Sequence, residues 1–153
     1  MLTLAIDIGG TKIAVGLTDP AGELVHKAVE PTPKDHEAEH VWNLVDTMIA
    51  DATKAAKGAI RAVGIGSAGP IDANAGTVSP VNIAAWRGFP LRDRIAAAMP
   101  GVPVRLAGDG ICMALAEHWR GPCRCRRRPA APARRASRPR SGRAAESRAT
   151  TRY

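Results

Sequence analysis

Residues 2–18 have the sequence LTLAIDIGGTKIAVGLT, in which two runs of β-forming residues flank a Gly-Gly pair. The short apolar run over residues 2–6 predicts a buried strand, and the alternating pattern over residues 11–18 predicts a second strand. Asp19-Pro20-Ala21-Gly22 is a turn signal, and residues 24–29 are predicted to form a third strand. Three strands joined by tight connections indicate an antiparallel meander.

The sequence after the meander predicts alternating helices and strands. Pro31 and Pro33 are expected to end the third strand. A helix is predicted over residues 36–57, because apolar residues recur there at spacings of three and four: Trp42, Val45, Ile49, Ala52 and Ala56. The remaining predictions are strands at 62–65 and 102–106, a short strand at 77–81, and helices at 91–99 and 111–119. The main order β-β-β-α-β-α-β-α predicts an α/β fold with a mixed sheet and helices packed on it.

The 153 residues suffice for one domain, and charge divides them into two parts. Residues 1–119 carry a net charge of −3 and have the composition of a globular protein. Residues 120–153 carry 12 Arg, no Lys and one Glu, and contain no Val, Ile, Leu, Met, Phe or Trp. Because such a segment buries little apolar surface, we predict a globular part over 1–119 and a disordered Arg-rich tail over 120–153.

Three interpretations of the tail compete. An Arg-rich segment suits a nucleic-acid-binding arm, and it also suits a solvated linker. The third interpretation is an out-of-frame translation of GC-rich DNA, which yields Arg, Ala, Pro, Gly and Ser. We favour the frameshift, because basic arms normally mix Lys with Arg. The net charge of +8 then says nothing about partners, and we do not expect nucleic acid to be one.

Several protein classes are disfavoured by the rest of the sequence. No apolar run approaches the roughly 18 residues that a membrane span needs. The N-terminus has no basic residue before Asp7, unlike a secretory signal, and three cysteines do not make a disulfide framework. We therefore expect a cytoplasmic protein without a membrane partner.

The first candidate site is Asp7-Ile8-Gly9-Gly10-Thr11-Lys12, at the hairpin between the first two strands. Paired glycines let the backbone turn sharply and present amide groups to phosphate oxygens. Thr11 adds a hydroxyl group and Lys12 a positive charge, while Asp7 is suited to hold hydrated Mg²⁺. The alternative is a plain Gly-Gly hairpin with an exposed lysine.

Two further candidate sites follow predicted strands. GIGSAGPID at 64–72 places small residues where a ligand could approach the backbone, and an ordinary loop is the alternative. Asp109 follows the strand predicted at 102–106, where ligands collect in open α/β sheets. Its carboxylate could accept a proton from a substrate hydroxyl, and a helix N-cap is the alternative role.

Taken together, these motifs resemble those of the ROK sugar kinases, in the ribonuclease H-like superfamily of actin, hexokinase and heat-shock ATPases. The resemblance covers residues 3–119, which correspond to an incomplete N-terminal lobe. DIGGTK at 7–12 resembles the family's first phosphate motif, and GIGSAGPID with Gly76-Thr77-Val78 resembles its sugar-side glycine loop. Pro80-Val81-Asn82 with Trp86, and Ala107-Gly108-Asp109-Gly110 with Ala114 and Glu117, resemble its sugar and catalytic segments.

The resemblance implies ATP-dependent phosphorylation of a hexose or N-acetylhexosamine, with glucokinase activity as the leading expectation. Asp109 would be the general base, and Asp7 would help to place Mg²⁺. The ATP phosphates would lie near Gly9, Gly10, Thr11 and Lys12, and the sugar pocket would be lined by Gly69, Asn82 and Asp109. The implied partners are the sugar, ATP and, as is common in the family, further copies of the same chain.

The sequence also departs from the family pattern. Gly108 stands where the family usually has Asn, which removes one side-chain hydrogen bond to the sugar. The family's second phosphate loop, its zinc-binding His/Cys cluster and its adenosine-binding segment are not found in the 153 residues. We therefore expect a truncated or frame-disrupted chain that does not turn over substrate.

Rival interpretations rest on weaker features. A sugar-responsive ROK repressor would carry a DNA-binding domain before the first motif, where only six residues precede Asp7. A basic nucleic-acid-binding protein would depend on the tail alone. HEAEH at 36–40 matches a zinc-peptidase pattern, but it is better explained as a solvated helix start. Cys123 and Cys125 are not expected to bind metal, and Cys112 is predicted to be a buried core thiol.

Overall fold

A computed structural model describes residues 1–34 and 37–121. The strands are β1 (Leu2–Ile8), β2 (Lys12–Thr18), β3 (Leu24–Pro31), β4 (Ile60–Ser67), β5 (Ile71–Asp72), β6 (Thr77–Val78) and β7 (Val104–Gly108). The helices are α1 (Ala38–Ala55), α2 (Leu91–Ala98) and α3 (Asp109–Arg120). Predictions about His36, Cys123, Cys125 and the rest of 122–153 fall outside the described residues.

The main sheet has five strands in the order β3-β2-β1-β4-β7. The first three strands form the predicted antiparallel meander, while β4 pairs with both β1 and β7 in parallel. This confirms the predicted α/β class and mixed sheet. In the parallel register Ile8 lies opposite Ser67, and Ser67 lies opposite Gly108. The ends of β1, β4 and β7 therefore meet at one edge of the sheet.

Some boundaries differ from the predictions for physical reasons. β3 continues to Pro31, because an edge strand tolerates a residue without a backbone N–H. The segment predicted to hold one short strand at 77–81 instead forms the hairpin β5–β6, whose two-residue strands are too short for a periodic pattern. In the described residues, no helix has the length and apolarity needed to cross a bilayer.

One face of the sheet carries the hydrophobic core. Large aliphatic side chains from β1, β2 and β4 alternate onto this face, and each is at most 3% exposed: Leu4, Ile6, Ile8, Ile13, Val15, Leu17, Val63 and Ile65. Helix α1 adds its predicted face, in which Val45, Ile49 and Ala52 are buried. Full burial of each large side chain is worth about 1.5–3 kcal/mol.

The opposite face carries small residues and lies beneath α3. Its members include Ala5, Ala14, Gly16, Gly64, Gly66 and Ala107. Helix α3 has an apolar side toward this face, yet none of its twelve residues is buried. Its far end is anchored on the β2–β3 turn, where Trp119 packs against Gly22 and Arg120 pairs with Glu23 at 3.1 Å. A cavity of about 1180 Å³ lies between the helix and the sheet.

Candidate active site at the carboxyl edge of the sheet

The β1–β2 turn is held in a fixed shape by backbone and side-chain hydrogen bonds. The Gly9 N–H donates to the Lys12 carbonyl at 3.0 Å. Directly after β3, Thr32 donates its hydroxyl to the Gly9 carbonyl at 2.8 Å and its N–H to the Thr11 carbonyl at 3.1 Å. Because Thr32 is only 4% exposed, these bonds are shielded from water. Thr11 and Lys12 are left exposed at the sheet edge.

Asn82 packs directly on Gly10. A Cβ atom built at Gly10 would lie 2.8 Å from Asn82 Nδ2 and 3.0 Å from its Cγ, and nearer still to its Cβ. Only glycine fits at position 10 while Asn82 occupies this place. The predicted phosphate turn and the predicted sugar segment are therefore in contact.

The segment from Gly69 to Ser79 brings a second contact to the same edge. Gly69 is exposed and precedes Pro70 through a cis peptide bond. The Ser79 N–H donates to the Pro70 carbonyl at 2.8 Å, which closes the hairpin β5–β6 at its base. A Cβ atom at Gly108 would lie 3.7 Å from Ile71 Cδ1, so the hairpin packs beside the residue before Asp109.

Asp7 and Asp109 are close enough to influence each other. Asp7 is the second-last residue of β1, and Asp109 is the first residue of α3, directly after β7. Partial burial raises the pKa of Asp7, and the Asp109 carboxylate raises it further, while the positive charge of Lys12 opposes both. The sheet thus brings together two carboxylates predicted from separate motifs.

The position of Cys112 corrects its sequence assignment. Its side chain is half-buried rather than part of the core. Burial raises the pKa of the thiol, and the charges of Asp109 and Asp7 raise it further. A Cβ atom at Gly66 would lie 3.4 Å from Cys112 Sγ, so the thiol packs on β4 in the first turn of α3. Cys112 is therefore a protonated neighbour of the two carboxylates at neutral pH.

The side chains at this edge suit Mg²⁺ and phosphate groups. Asp7 and Asp109 supply hard oxygen donors, and their mutual repulsion would be relieved by a divalent cation. Within the described part of the chain, no cluster of three or more His, Cys, Asp or Glu side chains forms a metal cage. A pair of carboxylates is the kind of donor set through which Mg²⁺ binds, since it retains several waters and uses one or two carboxylates together with substrate phosphates.

Comparison with known proteins identifies the family. The ROK family pattern matches residues 3–124, which include the turn, the hairpin segment and both carboxylates. The chain belongs to the ROK family. This confirms the resemblance drawn from the motifs, together with the actin/hexokinase-like fold that it implied.

The similar proteins include sugar kinases. The chain is 38% identical to a glucokinase of Streptomyces coelicolor over 119 residues and 37% identical to an N-acetyl-D-glucosamine kinase of Escherichia coli over 113 residues. These alignments cover 76% and 74% of this ROK chain but only 35% and 36% of the two kinases. The chain thus spans about a third of the length of these curated relatives.

Solved structures agree with the fold. A ROK family glucokinase from Streptomyces griseus, solved in complex with glucose and AMPPNP, aligns with a TM-score of 0.66 and 35% identity. The alignment covers 77% of this chain and 36% of that one. A ROK family transcriptional regulator, a homologue of the E. coli MLC protein, aligns with a TM-score of 0.65 at 21% identity, which shows the fold alone.

Sequence reasoning missed Thr32 and the setting of Cys112. Thr32 donates hydrogen bonds to backbone carbonyls, and no pattern of side chains in the sequence predicts such bonds. Cys112 follows Asp109 by three residues and therefore shares its helix face, a spacing that could have placed it beside the carboxylate.

Proposed function

We propose that this ROK chain carries the sugar-binding and general-base part of an enzyme that phosphorylates a hexose or N-acetylhexosamine with ATP. The observation that carries the proposal is the packing of Asn82 on Gly10 beside the Asp7–Asp109 pair. This arrangement puts a polar amide, a glycine turn and two carboxylates at one sheet edge, which suits the joint binding of a sugar and a phosphate chain.

In the proposed reaction, Asp109 accepts the proton of the attacking sugar hydroxyl. The hydroxyl oxygen forms a bond to the γ-phosphorus of ATP, while the bond from that phosphorus to the β–γ bridging oxygen breaks and ADP leaves. Asn82 and Gly69 line the sugar pocket and orient the hydroxyl toward Asp109. Asp109 is exposed at the start of α3, directly after β7, so a sugar hydroxyl can reach its carboxylate.

The glycine turn and Lys12 would hold the phosphates. Gly9 and Gly10 let a phosphate oxygen approach the backbone, Thr11 offers its hydroxyl, and Lys12 offers a positive charge. Bound Mg²⁺, held near Asp7, would supply neutralisation of phosphate charge. Because ATP is the phosphoryl donor, the proposal places the protein in the cytoplasm.

The proposed substrate class is supported by the similarity to a glucokinase and an N-acetyl-D-glucosamine kinase. The structure that contains glucose and AMPPNP supports ATP as the donor. No comparable observation favours a regulatory role, since the aligned regulator shares the fold at only 21% identity.

Calorimetric titration of the 153-residue chain with glucose, N-acetylglucosamine and N-acetylmannosamine tests the proposal. We expect saturable binding of at least one sugar. Asn82→Ala should weaken that binding by up to about tenfold, the value of one sugar hydrogen bond. Lys57→Ala is the matched control, because Lys57 is exposed beyond the end of α1. Lack of saturable binding to every sugar tested would overturn the proposal.

A further inference from the structure

Two side chains hold the turn of the β5–β6 hairpin. Asp72 Oδ1 accepts the N–H groups of Asn74 and Ala75 at 3.0 and 2.9 Å. The Arg92 guanidinium donates to the carbonyls of Ala73, Asn74 and Ala75 at 3.2, 3.1 and 3.3 Å. Three consecutive carbonyls of an exposed turn thus converge on one side chain from the first turn of α2.

The guanidinium is seated against the backbone rather than extended into water. Gly76 has a φ of +75°, and a Cβ atom there would lie 2.5 Å from Arg92 Cζ and 2.6 Å from its Nε. The backbone N–H of Arg92 also donates to the Gly76 carbonyl at 3.1 Å. The Arg92 side chain is consequently only 31% exposed. Its planar fork suits several carbonyls at once, which a lysine ammonium cannot match in geometry.

The hairpin that Arg92 holds is connected to both parts of the candidate site. One strand contains Ile71, which packs beside Gly108 and hence next to Asp109. The other strand leads through Ser79 to Asn82, which packs on Gly10. Each strand has only two residues, and the bridge of Val78 to Phe89 and the bond from Ser79 to Pro70 hold the base of the hairpin, so the turn itself depends on Asp72 and Arg92.

We infer that Arg92 is a positioning residue, which sets the place of Asn82 over Gly10 and of Ile71 beside Gly108 by fixing the turn at residues 72–76. Within the described residues, the Arg92 side chain bonds to the carbonyls of residues 73–75 and to Asp93 at 3.1 Å, and it therefore acts on the candidate site through the hairpin. The effect of Arg92 on sugar affinity rests on the proposed function. The effect of Arg92 on the position of Asn82 is independent of that function.

The test is the side-chain amide signal of Asn82 and the backbone amide signals of Gly10 and Gly108 in ¹H–¹⁵N spectra of the full chain without ligand. Arg92→Ala should shift all three signals, and Arg92→Lys should shift them by less, because lysine keeps the charge and loses the fork. Arg61→Ala is the control, since Arg61 is exposed near the start of β4. Thermal unfolding of each variant identifies any loss of fold.

Shifts in both Arg92 variants, with the Arg61 control unchanged and the folds intact, support the positioning role. Unmoved Asn82 and Gly10 signals in a folded Arg92→Ala chain overturn it. If that variant does not fold, the Arg92→Lys spectrum decides by the same criterion. Sugar titration adds a second readout, in which Arg92→Ala weakens binding by up to about tenfold. A wild-type chain that binds no sugar would refute the proposed function while leaving the spectral test of Arg92 decisive.

Discussion

The contact between Gly10 and Asn82 gives a sharp test of the site. Replacing Gly10 with alanine adds a single methyl group, which would meet Asn82 Nδ2 at 2.8 Å, Cγ at 3.0 Å and its Cβ at a still shorter distance. Carbon atoms normally pack at about 3.5–4.0 Å. Rotation of the Asn82 side chain cannot move its own Cβ atom, so the backbone at Asn82 or the glycine turn must shift.

The size of the effect follows from this overlap. Relief of the clash requires a displacement of roughly 1 Å, and overpacking of this kind costs about 1–3 kcal/mol of unfolding free energy. In a domain of this size, that lowers the melting temperature by about 4 °C or more. If Asn82 binds the sugar, the displaced amide should also weaken sugar binding by up to about tenfold.

Thermal unfolding and sugar titration of Gly10→Ala measure both effects. Gly64→Ala is the control, because a Cβ atom at Gly64 meets nothing within 4 Å, and alanine within a strand should add about 0.5–1 kcal/mol of stability. In a double-mutant cycle, Asn82→Gly should restore most of the unfolding free energy that Gly10→Ala loses. Equal stability and sugar affinity for Gly10→Ala and the wild type would refute the packing of Asn82 on Gly10.

Four other outcomes are expected. Because folding raises the pKa of Asp7, the wild type loses stability as the pH rises from 3.8 through the raised value. The melting temperature of Asp7→Asn should therefore exceed that of the wild type at neutral pH and equal it below pH 3.8, and a constant difference at all pH values would contradict this. Thr32→Val should cost about 1 kcal/mol in chemical denaturation, since it leaves the Gly9 carbonyl without its hydroxyl donor. The chain should bind a hydrophobic dye, and Leu115→Glu should reduce the signal because Leu115 is 60% exposed on α3. Sequencing the gene across the codons for residues 119–125 should show another frame that encodes a further strand and a glycine-rich loop; a single open frame through the arginine codons would count against a frameshift.

The strands and the positions of the two carboxylates at strand ends could be predicted from the sequence, because each depends on a local pattern. The apolar run over residues 2–6 and the alternation over 11–18 predict strands, and Leu4, Ile6, Val15 and Leu17 of those strands are buried. Asp7 and Asp109 stand at strand ends, and parallel pairing then brings those ends to one edge.

The contacts of the loops that carry Asn82 and Arg92 could not be predicted from the sequence, because they join residues that are far apart along the chain. Besides the turn that Arg92 holds, the segment carrying Asn82 depends on the bridge between Val78 and Phe89 and on the Trp86 side-chain N–H, which donates to the Ala38 carbonyl at 3.1 Å. Arg92 bonds to backbone carbonyls, which every residue possesses. No periodicity or motif therefore distinguishes it from an exposed arginine on a helix.

The small residues on the second sheet face lie along α3. In the first turn of α3, which begins at Asp109, Cys112 lies beside β4, and a Cβ atom at Gly66 would meet Cys112 Sγ at an ordinary contact distance of 3.4 Å. Farther along α3, the small residues of the sheet leave a gap beneath the helix. Beside Ala5, Gly16 and Gly64 the small side chains do not reach α3, so its apolar side remains unburied over the cavity. The strand alternation thus builds one tightly packed face and a second face from which the middle of α3 stays separated, between the contacts of Cys112 near one end and of Trp119 at the other.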